Sequence, residues 1–356
     1  MDTAATPPAA ITLIGAPTDG GGGARGASMG PAALRVAGLA QALREQGADV
    51  LDAGNLPGPP NPGLPPVRGF RHLPEVTAWN LAVHEAVLST LRAGRLPLLL
   101  GGDHSLAIGS ISAVARHARA RGRPLRVLWF DAHADFNTAA LTPSGTLHGM
   151  PVASLFGAGP PELVAIGGFS RQQPALRAHE LRQIGIRSVD AGEKRLVHEA
   201  GIEVFDMRAI DELGMREVMA RCLAGMDTDA HLHVSLDVDF LDPDIAPGVA
   251  TTVRGGPGSR EAQLCMEMVA DSGRLGSLDI VELNPAFAQS RLLTRILVAL
   301  TYEEGAFRRA EIGALDAETF AMVITLMDAF ASGSSPRSAW VKAVDSARAA
   351  AQGASA

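Results

Sequence analysis

The chain has 356 residues, 47% of them hydrophobic, and a formal charge of −7 at neutral pH. That length and apolar content can bury one large core or two smaller ones, and the acidic balance offers no basic face for nucleic acid. No apolar run reaches the length of a membrane span, and the opening MDTAATPPAA lacks the basic and apolar blocks of a secretory leader, so a cytoplasmic protein is expected.

In chain order, the strand candidates are ITLIGAP (11–17), ADVLDAG (48–54), LPLLLGGDH (96–104), RVLWFDAH (126–133), ELVAIGG (162–168), IEVFDM (202–207), LHVSLDVD (232–239) and SLDIVELNP (277–285). Stretches with helical periodicity lie between them, such as 31–46, 75–93 and 106–121. Strands that are apolar on both faces and alternate with helices imply a parallel sheet covered by helices. An open doubly wound sheet and a closed eight-stranded barrel both fit the count. Three segments read as loops or a tail: 19–30, the Pro/Gly-rich 56–69, and the Ala/Ser-rich chain from 332 onward, where Trp340 could anchor part of it. Cys222 and Cys265 fall in helix-like stretches and read as buried, reduced thiols.

Gly21, Gly23 and Gly26 match the spacing of a dinucleotide-binding turn, with Asp49 and Asp52 downstream. Such a turn must follow its strand almost directly, so that the helix N-terminus meets the pyrophosphate. Here the strand ends near Gly15 and the helix starts near Pro31, so the glycines read as a loop.

The unusual residues gather where apolar runs stop. LLLGGDHS brings Asp103 and His104, WFDAHADFN brings Asp131, His133, Asp135 and Asn137, SLDVDFLDP brings Asp237, Asp239 and Asp242, and LDIVELNP brings Glu282. A spacing of two places Asp131, His133 and Asp135 on one side of an extended chain. One such Asp could simply cap a helix. Several partly desolvated carboxylates together need positive charge between them. Asp131, Asp135, Asp237 and Asp239 supply four negative charges, which two divalent cations would balance, and His104 and His133 add neutral nitrogen donors. Oxygen-rich ligation with a little imidazole suits manganese, with iron, cobalt or zinc also compatible. Two metals at such a site activate water for hydrolysis. Asp103 and Asp242 read as turn or supporting residues, and His84, His117, His231 and His233 as structural or exposed.

GGDH (101–104), DAHADFN (131–137), SGTLHGMP (144–151), VDAGE (189–193), DVDFLDP (237–243) and DIVELNP (279–285) resemble the ureohydrolase superfamily, and their order and spacing are most similar to arginases. RGASMGPAALRVAGL (25–39) shares that likeness, which runs from about Ile11 to Pro285. The resemblance implies a three-layer α/β/α fold around a mostly parallel eight-stranded sheet. It implies one catalytic domain over 1–331, followed by a flexible tail over 332–356.

It also implies two Mn2+ per subunit, one held by His104, Asp131, Asp135 and Asp237, the other by Asp131, His133, Asp237 and Asp239. In that scheme Asp131 and Asp237 bridge, Asp135 also steers the nucleophile, His148 passes a proton to the departing amine, and Glu282 pairs with the guanidinium. Asn137 and Ser144 would read the substrate carboxylate and Asp190 its α-amino group, with Glu193 in support and Thr146 and Thr251 alongside. The implied product pair is L-ornithine and urea from L-arginine, made by a homo-oligomer, trimer or hexamer, with no nucleic-acid or membrane partner.

Thr146 stands where arginases commonly place Asn, Ala250 and Thr252 replace Gly and Pro, residues 257–259 differ, and the likeness fades after Pro285. These departures keep open another guanidino substrate, such as 4-guanidinobutyrate or agmatine. A metal-binding regulator without turnover is opposed by the presence of His148 and Glu282 beside the ligand set. A zinc deacetylase of related fold would share only the Asp-x-His portion.

Overall fold

A computed structural model describes residues 9–142 and 144–286. The rest of the expected domain, residues 1–8, 143 and 287–331, and the Ala/Ser-rich tail, 332–356 with Trp340, lie outside the described residues. In chain order the fold holds β1 (Ala10–Ala16), α1 (Gly30–Val36), α2 (Leu39–Glu45), β2 (Asp49–Asn55), α3 (Leu73–Arg92), β3 (Leu96–Gly101), α4 (Ala107–Ala120) and β4 (Leu125–Phe130). It continues with α5 (Pro151–Leu155), α6 (Pro161–Val164), β5 (Leu181–Ile186), α7 (Ala191–Glu199), β6 (Glu203–Asp206), α8 (Met207–Leu213), α9 (Met215–Leu223), β7 (His231–Asp237), α10 (Ser259–Asp271) and β8 (Leu275–Val281).

The eight strands form one sheet in the order β2-β1-β3-β8-β7-β4-β5-β6, and every pairing is parallel. The order leaves β2 and β6 as edges, which excludes the closed barrel and yields the expected three-layer fold. Strand periodicity sorts the side chains between two helical layers. Ile11, Leu13, Leu98, Leu100, Leu128 and Phe130 pack with α1, α2, α8, α9 and α10. Ile14, Leu99, Val127 and Trp129 pack with α3, α4, α5 and α7. Arg35 forks onto Asp52 at 2.8 and 2.9 Å, charging the open edge at β2 and so discouraging further strand pairing there. Among the described residues no helix is long and apolar enough to cross a membrane.

The structure corrects two local expectations. ELVAIGG is not a strand: Pro160-Pro161 starts the short helix α6, and Gly167 and Gly168 take positive φ (77° and 82°) that ends any regular run. The strand that takes its place in the sheet is Leu181–Ile186, whose Arg182 and Gln183 hid it from a search for apolar runs. Gln183 is fully buried, and its amide nitrogen donates to the Ala134 carbonyl at 2.6 Å, so its donor finds a partner inside. The stretch 31–46 is two helices, because Gly38 turns left-handed (φ 83°) between them. Cys222 and Cys265 are buried free thiols on α9 and α10, as expected.

The strand ends are tied together at Gly102. Its carbonyl accepts from Glu282 N at 2.7 Å, and the next amide, Asp103 N, donates to Thr18 O at 3.0 Å. A Cβ on Gly102 would lie 1.7 Å from Thr18 O, so the chains can approach only because that position carries no side chain. Gly102→Ala is expected to destabilise the fold by at least about 1–3 kcal/mol, the usual cost of forcing atoms into a packed interior. Urea midpoints of the two chains measure this, and an unshifted midpoint would show that the Thr18 loop yields freely.

Candidate metal centre

Four adjacent central strands, β3, β8, β7 and β4, deliver the candidate ligands from their carboxyl ends, where open parallel sheets place their ligand sites. His104 opens a short 3-10 turn after β3, and Asp103 caps that turn by accepting from Ser105 N. Asp131 follows β4, Asp237 ends β7, and Asp239 lies in the turn after it.

Main-chain donors fix one oxygen of three carboxylates and aim the other inward. Asp131 Oδ1 accepts from His133 N at 2.7 Å, Asp237 Oδ1 from Asp239 N at 2.7 Å, and Asp239 Oδ1 from Ala132 N at 3.0 Å. The inward oxygens meet the imidazoles. His104 Nδ1 lies 3.1 Å from Asp131 Oδ2, 3.3 Å from Asp135 Oδ2 and 3.2 Å from Asp237 Oδ2. His133 Nδ1 lies 3.0 Å from the inward Asp239 Oδ2, and 3.4 Å from Asp131 Oδ1, the oxygen its own amide holds.

Two donor sets result, His104–Asp131–Asp135 and Asp131–His133–Asp239, each with its ligand atoms within 4.8 Å of one another. His104 Nδ1 is the decisive atom: it is buried, ringed by three carboxylate oxygens, and has no hydrogen-bond partner. Its other ring nitrogen is 3.0 Å from Ser235 Oγ, and Trp129 stacks on the ring at a centroid distance of 4.0 Å. An imidazole held from behind with a bare nitrogen facing carboxylates is what a divalent cation requires. The residues therefore fit a metal centre.

The electrostatics agree. Burial and then the neighbouring Asp239 and Asp131 push Asp237 well above the carboxylate range, and burial and Asp131 raise Asp135 to about 6. Burial also raises Asp239, with Asp131 adding to it. Burial opposes the other shifts. It would raise Asp131, but hydrogen bonds from His104 and His133 hold that carboxyl below its usual value. It would lower the His133 ring, yet Asp131 and Asp239 drive it up to about 12. Without cations, protons on acids and imidazoles neutralise the cluster.

A cavity of about 230 Å³ opens over these ligands. Of the metal, catalytic and substrate residues implied by the family resemblance, all but the more deeply placed Asp131 and Asp239 line it, including Asn137, Ser144, Thr146, Asp190 and Thr251. On its wall, His148 Nδ1 is 3.0 Å from Glu282 Oε1, which also accepts from His104 N at 2.9 Å. Burial would lower His148, but the hydrogen bond and charge of Glu282 raise it to about 9. Glu193 is buried, accepts from Phe136 N at 2.9 Å, and burial raises it to about 7. At the mouth the hydroxyls of Thr142, Ser144 and Thr146 form a chain with spacings of 3.0 and 2.9 Å. Thr251 Oγ1 donates to Asp239 Oδ2 at 3.1 Å.

Asp135 and Glu282 both sit in the left-handed region, at φ 50° and 62°. Such strain costs about 1–3 kcal/mol and persists only where neighbours over-determine it. Here Val152 N and Ala153 N bond the Asp135 carbonyl, while Glu282 is held through its amide and its side chain.

Sequence reasoning missed Trp129, Ser235 and Thr142. Trp129 reads as core, yet its indole N–H donates to Asp131 Oδ2 at 2.9 Å, and its position two residues before Asp131 on the same strand face was the available signal. Asp103 and Asp242 serve turns, and His84, His117, His231 and His233 are all buried away from the cavity lining. Asp242 accepts from Asp244, Gly255 and Gly256 amides, and His231 and His233 are buried against Ser277. The glycine loop is no nucleotide turn, since Gly21 N donates to Asp103 Oδ2 and its carbonyl accepts from Leu147 and His148 amides.

Comparison with known proteins gives the same direction. The model of the Arginase family matches residues 9–305. The chain is 44% identical to an arginase of Brucella melitensis over 294 residues, 81% of this chain and 93% of the other, and 42% identical to one of Bacillus caldovelox over 82% and 96%. The crystal structure of the Bacillus caldovelox arginase superposes with a TM-score of 0.77 at 39% identity, covering 85% of this chain and 100% of that one.

Metal uptake must displace the protons that the cluster holds. Binding of Mn2+ is therefore expected to release protons and to weaken as pH falls through about 6, where Asp135 takes its proton back. Calorimetry in buffers of different ionisation enthalpy reads this directly, and proton-neutral binding would contradict it.

Proposed function

Because this chain belongs to the arginase family, we propose that it hydrolyses the guanidinium group of L-arginine, giving L-ornithine and urea, with two manganese ions. The observation that carries the reading is the meeting, in one cavity, of two donor sets sharing Asp131 with the His148–Glu282 pair. His104, Asp131, Asp135 and Asp237 would hold one ion, and Asp131, His133, Asp237 and Asp239 the other. When bound, the ions supply Lewis acidity that makes water nucleophilic at neutral pH.

The remaining steps belong to the side chains. Glu282 is kept ionised by His148 and His104, against its burial, and offers its carboxylate to the flat donor fork of the guanidinium. Asp135, strained so that it points into the cavity, accepts a hydrogen bond from the attacking water and aims its lone pair at the guanidinium carbon. Water adds to that carbon, the bond to the side-chain nitrogen of arginine breaks, and His148 gives that nitrogen the proton it needs to leave. Asn137 and the Thr142–Ser144–Thr146 hydroxyls face the substrate carboxylate, while Asp190 and Glu193 face the α-ammonium. The hydroxyl of Thr146 takes the place of an amide there and is held in line by Ser144. The family likeness carries a cytoplasmic homo-oligomer, trimer or hexamer, into the same proposal.

Urea release after incubation with Mn2+ tests the substrate. L-arginine is expected to exceed agmatine, which lacks the carboxylate, and 4-guanidinobutyrate, which lacks the α-amino group; preference for either analogue would sink the assignment. His148 carries its proton below about 9 and loses it above, so the rate should fall as pH rises through that value. His148→Ala should keep its metals, lose about 10²–10⁴ in rate and lose that alkaline limb. An unchanged profile in the variant would remove His148 from proton transfer.

A further inference from the structure

We infer that Arg187 is a positioning residue that holds the Asp239–His133 half of the metal centre in binding geometry. The inference rests on the two-metal reading above.

An arginine just beyond a buried strand would be expected to seek a carboxylate. Arg187 instead spends all six of its side-chain hydrogen bonds on main-chain carbonyls. Its Nη2 donates to Asp239 O at 2.7 Å, Val253 O at 2.8 Å and Leu241 O at 3.3 Å. Nη1 donates to Phe240 O at 3.1 Å and Gly185 O at 3.2 Å, and Nε to Val253 O at 3.1 Å. The Arg187 amide donates to Ala132 O at 2.8 Å, between Asp131 and His133. One residue thus joins the turn carrying Asp239, the loop carrying Thr251 and the segment carrying His133.

Both oxygens of Asp239 depend on those segments. Oδ1 accepts from Ala132 N, and Oδ2 from the Thr251 hydroxyl two residues before Val253. The Arg187 guanidinium makes no hydrogen bond to His104, to Asp135 or to the 131–137 segment, which only the main-chain amide reaches, so the influence of the side chain falls on the Asp239 side. The site is shaped to it as well: a Cβ on Gly256 would lie 2.6 Å from Nη2. Only a rigid planar fork can serve five divergent carbonyls; a lysine ammonium has three donors at one point.

The sign of the charge separates two explanations. A fixed cation beside the cluster repels a divalent ion, so if Arg187 acted by charge alone, removing it would tighten binding. Acting through geometry, its loss must loosen binding even when the charge is kept.

Titration of the full chain with Mn2+ alone, followed by calorimetry, tests this. Arg187→Lys and Arg187→Met should each bind one ion as the wild type does and the second about 10–100-fold more weakly, the usual effect of removing a partner behind a ligand. Thr251→Val, a milder change that leaves the clamp intact, should weaken the same ion and add little to Arg187→Lys. Wild-type affinity for both ions in the Arg187 variants, tighter binding in Arg187→Met, or equal weakening of both ions would overturn the inference. So would a full, additive effect of Thr251→Val. A wild-type chain that takes up no second ion would overturn the two-metal reading along with it.

Discussion

Four carboxyl groups, those of Asp131, Asp135, Asp237 and Asp239, are buried within reach of two imidazoles at one end of a parallel sheet. Their mutual repulsion in a poorly hydrated place opposes folding unless protons or cations answer it. Much of the surrounding structure can be read as the means of holding that arrangement. Backbone amides take one oxygen each of Asp131, Asp237 and Asp239, which satisfies half of each group and leaves the other half facing inward. Trp129 donates to Asp131 and stacks on His104, so one side chain orients two ligands. Where the backbone itself must strain, at Asp135 and Glu282, main-chain bonds from neighbouring segments hold it there.

The sheet order explains why these residues meet. β3, β8, β7 and β4 are consecutive in space although far apart in sequence, so their carboxyl ends form a continuous row. The row has a polar floor on the α4 face. Ser235, His233 and His231 alternate along β7 on the face opposite Leu232, Val234 and Leu236, and Ser277 and Asp279 match them on β8. Ser110 of α4 donates to Asp279, while Ser235 supports His104. A buried polar strip of this kind is tolerated because its groups largely bond one another.

Much of this was legible from residue order. Apolar runs ending in Asp, His or Glu mark strand ends under chemical demand, and each of the four such runs proved to be a central strand. Legibility failed where a strand was not apolar: Leu181–Ile186 carries Arg182 and Gln183, whose partners, Glu203 and the Ala134 carbonyl, come from distant segments. It failed in reverse at ELVAIGG, where prolines and glycines outweighed the apolar run. Trp129 and Arg187 were invisible for a related reason. Each looks like a member of a common class, core aromatic or surface cation, until the tertiary structure shows what its N–H groups face.

The departures at 250–259 can be understood in the same terms. Loop side chains matter less when the main chain carries the bonds, and this loop is held by its backbone: Val253 O takes two bonds from Arg187, and Gly255 and Gly256 amides meet the Asp242 carboxylate. Arg254 is exposed and points its charge at exposed Asp244, a surface contact of little energetic weight. Two positions escape this freedom. Thr251 supplies the hydroxyl that reaches Asp239, and Gly256 leaves the space that the Arg187 guanidinium fills. Ala250 and Thr252 can therefore replace other residues without disturbing the ligands, because what the loop delivers to the metal centre is one hydroxyl, placed by backbone bonds that do not depend on its neighbours' side chains.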